Sequence, residues 1–188
     1  WSLYTSKYIG GRTIRGAGLY NKKQFNSATQ FAEVRIASLR TGRTGLVIMS
    51  NDTMTNFACV EIENGVSTKS LKISHGSSPS TLVTHATYSP TNFHWNRFDK
   101  VAIGFDPVTK IYTAYINGNA VTTWHDSTSI VATGADNRYQ GLIVNMDNIG
   151  AYPGCGIDNL VAYDNDQSGV TLECSVVLLW RDAYQGFA

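Results

Sequence analysis

Short segments in which apolar side chains recur at every second residue constrain the fold of this chain more than any other feature. In residues 31–39, Val34 and Ile36 share one face of an extended chain, whereas Glu33 and Arg35 lie on the other. The same alternation recurs in residues 57–63, 71–73, 101–105 and 142–146. Each run is short and bounded by turn-forming residues, and no long window repeats apolar residues at helical spacing. The sequence therefore predicts many short β-strands and no helix.

Two turn signals divide residues 101–124 into three strands. Asn117-Gly118 lies between the runs 111–116 and 120–124, and this dipeptide favours the tight hairpin turn in which both central residues have positive φ. Asp106-Pro107 lies between the runs 101–105 and 111–116, where proline presets φ and aspartate caps the turn. We therefore predict a three-stranded antiparallel meander over residues 101–124.

The spacing of strands and turns predicts one all-β domain. Many short strands with frequent turns are typical of a two-sheet antiparallel β-sandwich, and 188 residues suffice for one such domain. Residues 76–81 and 127–137 are polar and are predicted to be surface loops. We assign residues 1–164 to the sandwich and residues 165–188 to a C-terminal strand or extension. Its apolar part, residues 171–180, either closes an edge of its own sheet or docks on another chain, because exposed apolar strands are normally covered. We predict that it contributes to a contact with another subunit.

Composition excludes several classes of function. The net charge is +1, so nucleic acid is not an expected partner. A helix needs about 20 consecutive apolar residues to span a bilayer, and no apolar run in this sequence is that long. Charged residues make up only 15% of the chain, which suits an extracellular or assembled protein. The cysteines match no zinc spacing, and buried free thiols are favoured over one disulfide with a free thiol. They are Cys59, Cys155 and Cys174.

Three segments carry a resemblance to a known fold family. They are residues 98–106 (FDKVAIGFD), 115–121 (YINGNAV) and 156–163 (GIDNLVAY). The first two resemble the central hairpins, and the third the closing strand, of concanavalin A-like lectin/glucanase domains, including laminin-G-like modules. This resemblance implies a jelly-roll sandwich. The layout of residues 1–164 is also similar to sandwich domains in minor tail proteins of phages that infect actinobacteria, which implies a virion protein.

Glu61 and Glu63 are the one pair of carboxylates whose spacing fits catalysis. Alternate residues of a strand share a face with Cα atoms about 6.5–7 Å apart, which suits the carboxylates of a glycoside hydrolase. Glycosidases of the resembled family carry Glu-x-Asp-x-x-Glu, whereas this chain reads EIENG from Glu61. A solvated outer strand face explains both glutamates, so we predict that the protein is not an enzyme. The histidines show no close ligand spacing and are predicted to be surface or loop residues; they are His75, His85, His94 and His125.

Residues 164–169 (DNDQSG) imitate the first half of a calcium loop. The closing glutamate is displaced, because Ser175 stands at its position and Glu173 lies two residues earlier. An Asp/Asn-rich turn is therefore favoured, and no cofactor is predicted. Since domains of the resembled family often bind calcium, Asp164 and Asp166 are the candidate ligands should calcium bind.

Aromatic residues beside loops are the candidate binding residues. The apolar faces of sugar rings stack on Trp and Tyr, while neighbouring Asn and Asp side chains bond the sugar hydroxyls. Packing in the core or at a sheet edge is the alternative for each ring, above all for Trp95, which precedes a strand. The predicted glycan-binding residues are Trp95, Trp124, Asp136, Asn137, Tyr139 and Tyr152.

Three functions remain open from the sequence. The first is a non-enzymatic structural virion protein of a tailed phage, a minor tail or decoration protein, with copies of itself, other virion proteins and a host-surface glycan as partners. The second is a secreted carbohydrate-binding module or adhesin. The third is a glycoside hydrolase or polysaccharide lyase, against which the missing carboxylates count. The first two predict a virion or extracellular location, without membrane insertion.

Overall fold

The computed structural model describes residues 2–6, 15–20, 24–39, 41–78, 80–145 and 156–164. Within these residues the chain forms twelve β-strands and one 3₁₀ turn, Ala135–Asn137. The strands are β1 (Ser2–Ser6), β2 (Arg15–Tyr20), β3 (Gln30–Ser38), β4 (Gly42–Ser50), β5 (Phe57–Asn64), β6 (Lys69–Ser78), β7 (Thr81–Tyr88), β8 (Lys100–Asp106), β9 (Ile111–Ile116), β10 (Asn119–His125), β11 (Tyr139–Asn145) and β12 (Gly156–Asp164). No helix in the described ranges is long and apolar enough to cross a bilayer.

The strands form two antiparallel sheets. The seven-stranded sheet has the order β1-β2-β11-β4-β5-β6-β7, and the five-stranded sheet has the order β10-β9-β8-β3-β12. Strands distant in sequence lie side by side, since β11 pairs with both β2 and β4, and β3 pairs with both β8 and β12. The predicted all-β, two-sheet antiparallel sandwich is confirmed.

Strands β8, β9 and β10 form the predicted meander. Asn117 and Gly118 have φ values of 52° and 81°, as the tight β9–β10 hairpin requires. The Asn117 amide also donates to Asp99 Oδ1 at 2.9 Å, which ties this turn to the residue preceding β8. The β8–β9 turn is capped by Asp106, whose Oδ1 accepts the Val108 N–H at 2.9 Å. Local turn chemistry therefore sets this part of the fold.

The main core lies between the inner faces of the two sheets. Every second side chain of the central strands is buried there, as shown by Ile36 of β3, Ile48 of β4 and Ile62 of β5. Trp95 and Val131 join the same core from the connections before β8 and β11. The alternation that predicted the strands is thus the alternation that fills the core.

The outer face of the seven-stranded sheet carries a second buried region. Glu61 lies on this face and is only 3% exposed, and its carboxylate accepts a hydrogen bond from Ser74 Oγ at 2.6 Å. The prediction of a solvated face at Glu61 is therefore wrong, because apolar residues accompany it on this side of the sheet. The apolar cluster on this face, hereafter the outer cluster, comprises Val47, Met54, Phe57, Cys59 and Ile143, against which Leu82 and Tyr139 pack.

Cys59 is a free, fully buried thiol in the outer cluster. Burial, and to a smaller extent the charge of Glu61, raise the pKa of this thiol well above its usual value. The predicted buried free thiol is confirmed for Cys59, whereas Cys155 and Cys174 lie outside the described residues.

One predicted loop is shorter in the structure. The sequence predicts a loop at residues 76–81, but β6 continues to Ser78 and β7 begins at Thr81. Gly76 lies within β6. A residue with a side chain would collide with Phe57 at this position, because Phe57 Cζ is 2.5 Å from where an ideal Cβ would be. The predicted loop at residues 127–137 is confirmed and includes the 3₁₀ turn. The predicted C-terminal strand or extension, residues 165–188, lies outside the described residues.

Candidate functional site

A polar cleft lies where the β4–β5 loop, the β10–β11 loop and the segment before β3 meet. It encloses about 400 Å³. Its lining contains two carboxylates, three amides and one aromatic residue, so it offers both hydrogen-bond donors and hydrogen-bond acceptors. The described lining residues are Gln24, Asn51, Asp52, Asp136, Asn137 and Tyr139.

The β4–β5 loop, residues 51–56, is held in shape by Asn51. Its Oδ1 accepts the Thr55 N–H at 2.8 Å, and its Nδ2 donates to Thr55 Oγ1 at 2.7 Å. Met54 adopts a positive φ of 53° and is 1% exposed, so it anchors the loop in the outer cluster. Side-chain bonds of this kind are the reason that Asn and Thr suit turns. The loop thereby carries the exposed Asp52 to the cleft.

The β10–β11 loop, residues 126–138, is fixed at its root by Asp126. This residue is 4% exposed, and its two carboxylate oxygens accept the Ile130 and Val131 N–H groups at 2.8 and 2.9 Å. Val131 is fully buried in the main core, which pins the middle of the loop. The 3₁₀ turn at its far end presents Asp136 and Asn137 to the cleft.

Asn56 joins these two loops. Its Nδ2 donates to the Ile130 carbonyl at 3.0 Å, and its Oδ1 accepts the Ala132 N–H at 2.7 Å. One loop carries Asp52 and the other carries Asp136, so a single amide side chain links both walls of the cleft.

The segment before β3 is tied to the end of the last described strand. Asp164 Oδ2 accepts the Asn26 and Ser27 N–H groups at 2.6 and 2.9 Å, and the Arg138 guanidinium donates to the Asn26 carbonyl. Asp164, a predicted calcium ligand, therefore stabilises a turn, and its predicted companion Asp166 lies outside the described residues. Among the residues that the structure describes, no three His, Cys, Asp or Glu side chains converge as metal ligands. The calcium site stays a prediction.

The structure brings three of the predicted glycan-binding residues together in the cleft and places the others differently. Trp95 is 4% exposed, and its indole N–H donates to the Glu63 carbonyl at 2.9 Å. A ring buried in this way offers no face to a sugar, so Trp95 belongs to the core. Trp124 is half-buried on β10, and its ring already stacks on that of His85 at a centroid distance of 3.8 Å. Tyr152 lies outside the described residues.

Two histidines that were predicted to be separate surface or loop residues contact each other. His75 of β6 and His85 of β7 are half-buried, and His75 Nδ1 lies 2.6 Å from His85 Nε2. The prediction was wrong for these two because ten positions separate them along the chain, whereas the β6–β7 hairpin places them side by side. His94 and His125 are exposed, as predicted.

The carboxylates that suggested catalysis bind neighbouring side chains. Glu63 pairs with Lys72 Nζ at 2.7 Å and with Arg43 Nε at 3.6 Å, and it accepts a hydrogen bond from Ser70 Oγ at 2.7 Å. Burial alone would raise the pKa of Glu63, but these hydrogen bonds and positive charges outweigh burial and lower the pKa. A carboxyl held ionised in this way is a poor proton donor. Glu63 is therefore poorly suited to be the proton donor that a glycosidase needs.

Solved structures of sugar-binding proteins share this architecture. The chain is similar to the carbohydrate-binding module CBM66 from Bacillus subtilis, with a TM-score of 0.56 and 12% identity over 87% of this chain and 92% of that one. It is similar to the carbohydrate recognition domain of Emp46p, with a TM-score of 0.54 and 10% identity over 87% and 88% of the two chains. It is also similar to a tetrameric galectin from the ball sponge Cinachyrella, with a TM-score of 0.53 and 15% identity over 78% and 99% of the two chains. No protein-family profile and no curated protein sequence matches this chain.

Proposed function

We propose that this protein, whose sandwich is a concanavalin A-like lectin fold, binds carbohydrate through the polar cleft. The observation that carries the proposal is the lining, in which Tyr139 lies with Asp136 and Asn137 around a space of about 400 Å³. A sugar ring has an apolar face that stacks on an aromatic ring, and its hydroxyls bond carboxylates and amides. Two of the similar structures are named for carbohydrate binding or recognition, which supports the proposal without locating the site in this chain.

The lining favours a neutral sugar. Asp136 brings an exposed carboxylate to the cleft, and none of the described lining residues is cationic. A uronic acid or a sulfated sugar would set like charges against each other, which costs about 1 kcal/mol at 4 Å even in water. Neutral sugar hydroxyls instead donate to carboxylates in short, charge-assisted hydrogen bonds.

We propose binding without turnover. Glucanases share this fold, so the fold alone does not distinguish a lectin from a hydrolase. The argument comes from the carboxylates of β5, because Glu63 is held by Lys72 and Arg43, and Glu61 is buried against Ser74. Neither side chain is one of the described residues that line the cleft.

A virion role remains a prediction of the sequence resemblance alone. None of the structural similarities described above supports a phage tail, a partner subunit or a location. Carbohydrate binding is common to the first two functions left open by the sequence, and it is the part that the cleft supports.

Titration calorimetry with neutral and acidic mono- and oligosaccharides tests the proposed function. We expect Tyr139→Ala and Asp136→Asn each to weaken binding of a neutral sugar at least about tenfold, which corresponds to about 1.4 kcal/mol. Tyr163→Ala is the matched control. That ring is 44% exposed, stacks at 4.9 Å on Phe31 of the same five-stranded sheet and is not among the described residues that line the cleft, so its removal should leave affinity unchanged. Absence of binding to every sugar, or binding that neither cleft variant weakens, would contradict the proposal.

A further inference from the structure

The seven-stranded sheet is buried on both of its faces, unlike the five-stranded sheet. Residues 44–50 of β4 and residues 57–62 of β5 are all buried, without a break. In residues 30–37 of β3 and 111–115 of β9, in the other sheet, buried residues alternate with partly exposed ones. A strand with one face in water alternates in this way, whereas continuous burial is typical of a strand that is covered on both faces. A layer therefore covers the outer face of β4 and β5.

None of the described strands forms this layer. All twelve belong to the two sheets, and the five-stranded sheet packs on the inner face. The β4–β5 loop reaches the outer cluster with Met54. On the central strands β5 and β6, however, Cys59 and Ser74 are fully buried and Glu61 is only 3% exposed. This is the burial of one isolated chain, so we look for the cover in the same chain, outside the described residues.

The C-terminal segment 171–180 has the pattern that such a cover needs. An extended chain places alternate residues on one face. In this segment the odd-numbered residues begin with Thr171, Glu173 and Ser175, whereas every even-numbered residue is apolar. The outer cluster is itself apolar, so an extended segment can lay an unbroken apolar strip on it. The strip consists of Leu172, Cys174, Val176, Leu178 and Trp180.

The last described strand ends close to the outer cluster, although β12 belongs to the other sheet. Asp164 accepts the Asn26 N–H, and the Arg138 guanidinium donates to the Asn26 carbonyl. The residue after Arg138 is Tyr139, which packs against the outer cluster. Residues 165–170 can span about 20 Å when extended, which exceeds the separation of about 10 Å between packed sheets. The segment that follows can therefore reach the outer face.

The two other long gaps in the described chain, residues 7–14 and 146–155, fit this role less well. Both adjoin the C-terminal end of β11, where Arg15 and Asn145 pair with each other, whereas Arg138 precedes the N-terminal end of that strand. Neither gap has an apolar residue at every second position. The C-terminal segment is therefore the occupant that position and sequence favour.

We propose that residues 171–180 dock on the outer face of the seven-stranded sheet of their own chain and cover the outer cluster together with Glu61. The proposal does not depend on sugar binding. It gives the segment a partner within its own subunit, in place of the contact with another subunit that the sequence predicts.

Methyl NOE spectra of the unmodified, sparsely labelled full chain test this contact directly. We expect cross-peaks from the methyl groups of Leu172, Val176 or Leu178 to those of Val47 and Ile143. A sample that mixes differently labelled chains identifies contacts between chains, and light scattering gives the oligomeric state. Absence of these cross-peaks, or cross-peaks between chains only, would overturn the proposal.

The rate at which N-ethylmaleimide alkylates Cys59, followed peptide by peptide with mass spectrometry, tests the cover. Val176→Asp places a charge on the apolar strip, so we expect Cys59 to react at least tenfold faster than in the unmodified chain. Ser175→Asp is the matched control, because it introduces the same charge at the adjacent position, on the opposite face of an extended segment. Its rate should equal that of the unmodified chain. Equal rates in all three proteins, or equal acceleration in both variants, would contradict the docking.

Global unfolding of Val176→Asp would also expose Cys59, so hydrogen exchange of the β8–β9–β10 meander is followed in the same samples. The meander belongs to the five-stranded sheet, and we expect its protection to stay within about twofold of that in the unmodified chain. If the meander loses its protection as well, the cross-peaks of the unmodified chain decide the proposal.

Discussion

At the scale of single residues, Gly76 shows how closely β6 and its neighbours pack. An added Cβ would lie 2.5 Å from Phe57 Cζ and 2.7 Å from Leu82 Cδ2. Overpacking of this kind costs about 1–3 kcal/mol, so Gly76→Ala should lower the free energy of unfolding in urea by that amount. Gly134→Ala is the matched control, because nothing lies within 4 Å of its added Cβ. Equal effects of the two substitutions would contradict the packing described for β6.

Glu63 makes a pH-dependent contribution to the free energy of unfolding. Its pKa in the folded protein is lowered from 4.5, so the unfolded chain binds the proton more readily. The stabilisation is therefore present above the unfolded pKa and is lost as the pH falls through the folded pKa. Glu63→Gln should lower the free energy of unfolding by about 1–3 kcal/mol at pH 7, and by clearly less at pH 3. Urea titrations at both pH values measure this, and an equal cost at each pH would count against the ion pairs with Lys72 and Arg43.

At the scale of loops and strands, Asn56 is the side chain that links the β4–β5 loop to the β10–β11 loop. Asn56→Ala removes two hydrogen bonds between the β4–β5 and β10–β11 loops, which contribute about 1–3 kcal/mol together. We expect a loss of stability of that size and faster hydrogen exchange in residues 130–132. The control is Asn119→Ala, because this exposed amide makes one long contact, 3.4 Å, to the Asn117 carbonyl. Unchanged exchange in the Asn56 variant would show that the two loops are held independently.

The success of sequence-based prediction also differs between elements. The β8–β9–β10 meander follows from Asp106-Pro107 and Asn117-Gly118 because each turn is determined by adjacent residues. β7 was not predicted from the sequence. Its residues, TLVTHATY, show no regular alternation of apolar side chains, and none of these side chains is fully buried. The His75–His85 contact was not predicted either, because sequence spacing reveals paired histidines only when they are close together in the chain.

At the scale of the whole molecule, the sandwich was predictable and the order of its strands was not. Alternation identifies strands, but it does not place β11 between β2 and β4. That placement brings Tyr139 beside the end of β4 and so assembles the cleft. Asp136 and Asn137 were predicted from the composition of their own loop. Asn51 and Asp52 were not, because only the topology makes them neighbours of that loop.

We propose that the polar cleft, rather than another surface of the sandwich, binds a neutral sugar. Chemical-shift mapping of the isotope-labelled full chain, titrated with the tightest-binding neutral sugar at pH 7, locates the binding surface. We expect the largest shifts at Asp136, Asn137 and Tyr139 and, on the facing loop, at Asn51 and Asp52. Shifts confined to the surroundings of Trp124, or to the outer face of the five-stranded sheet around Tyr163, would contradict it.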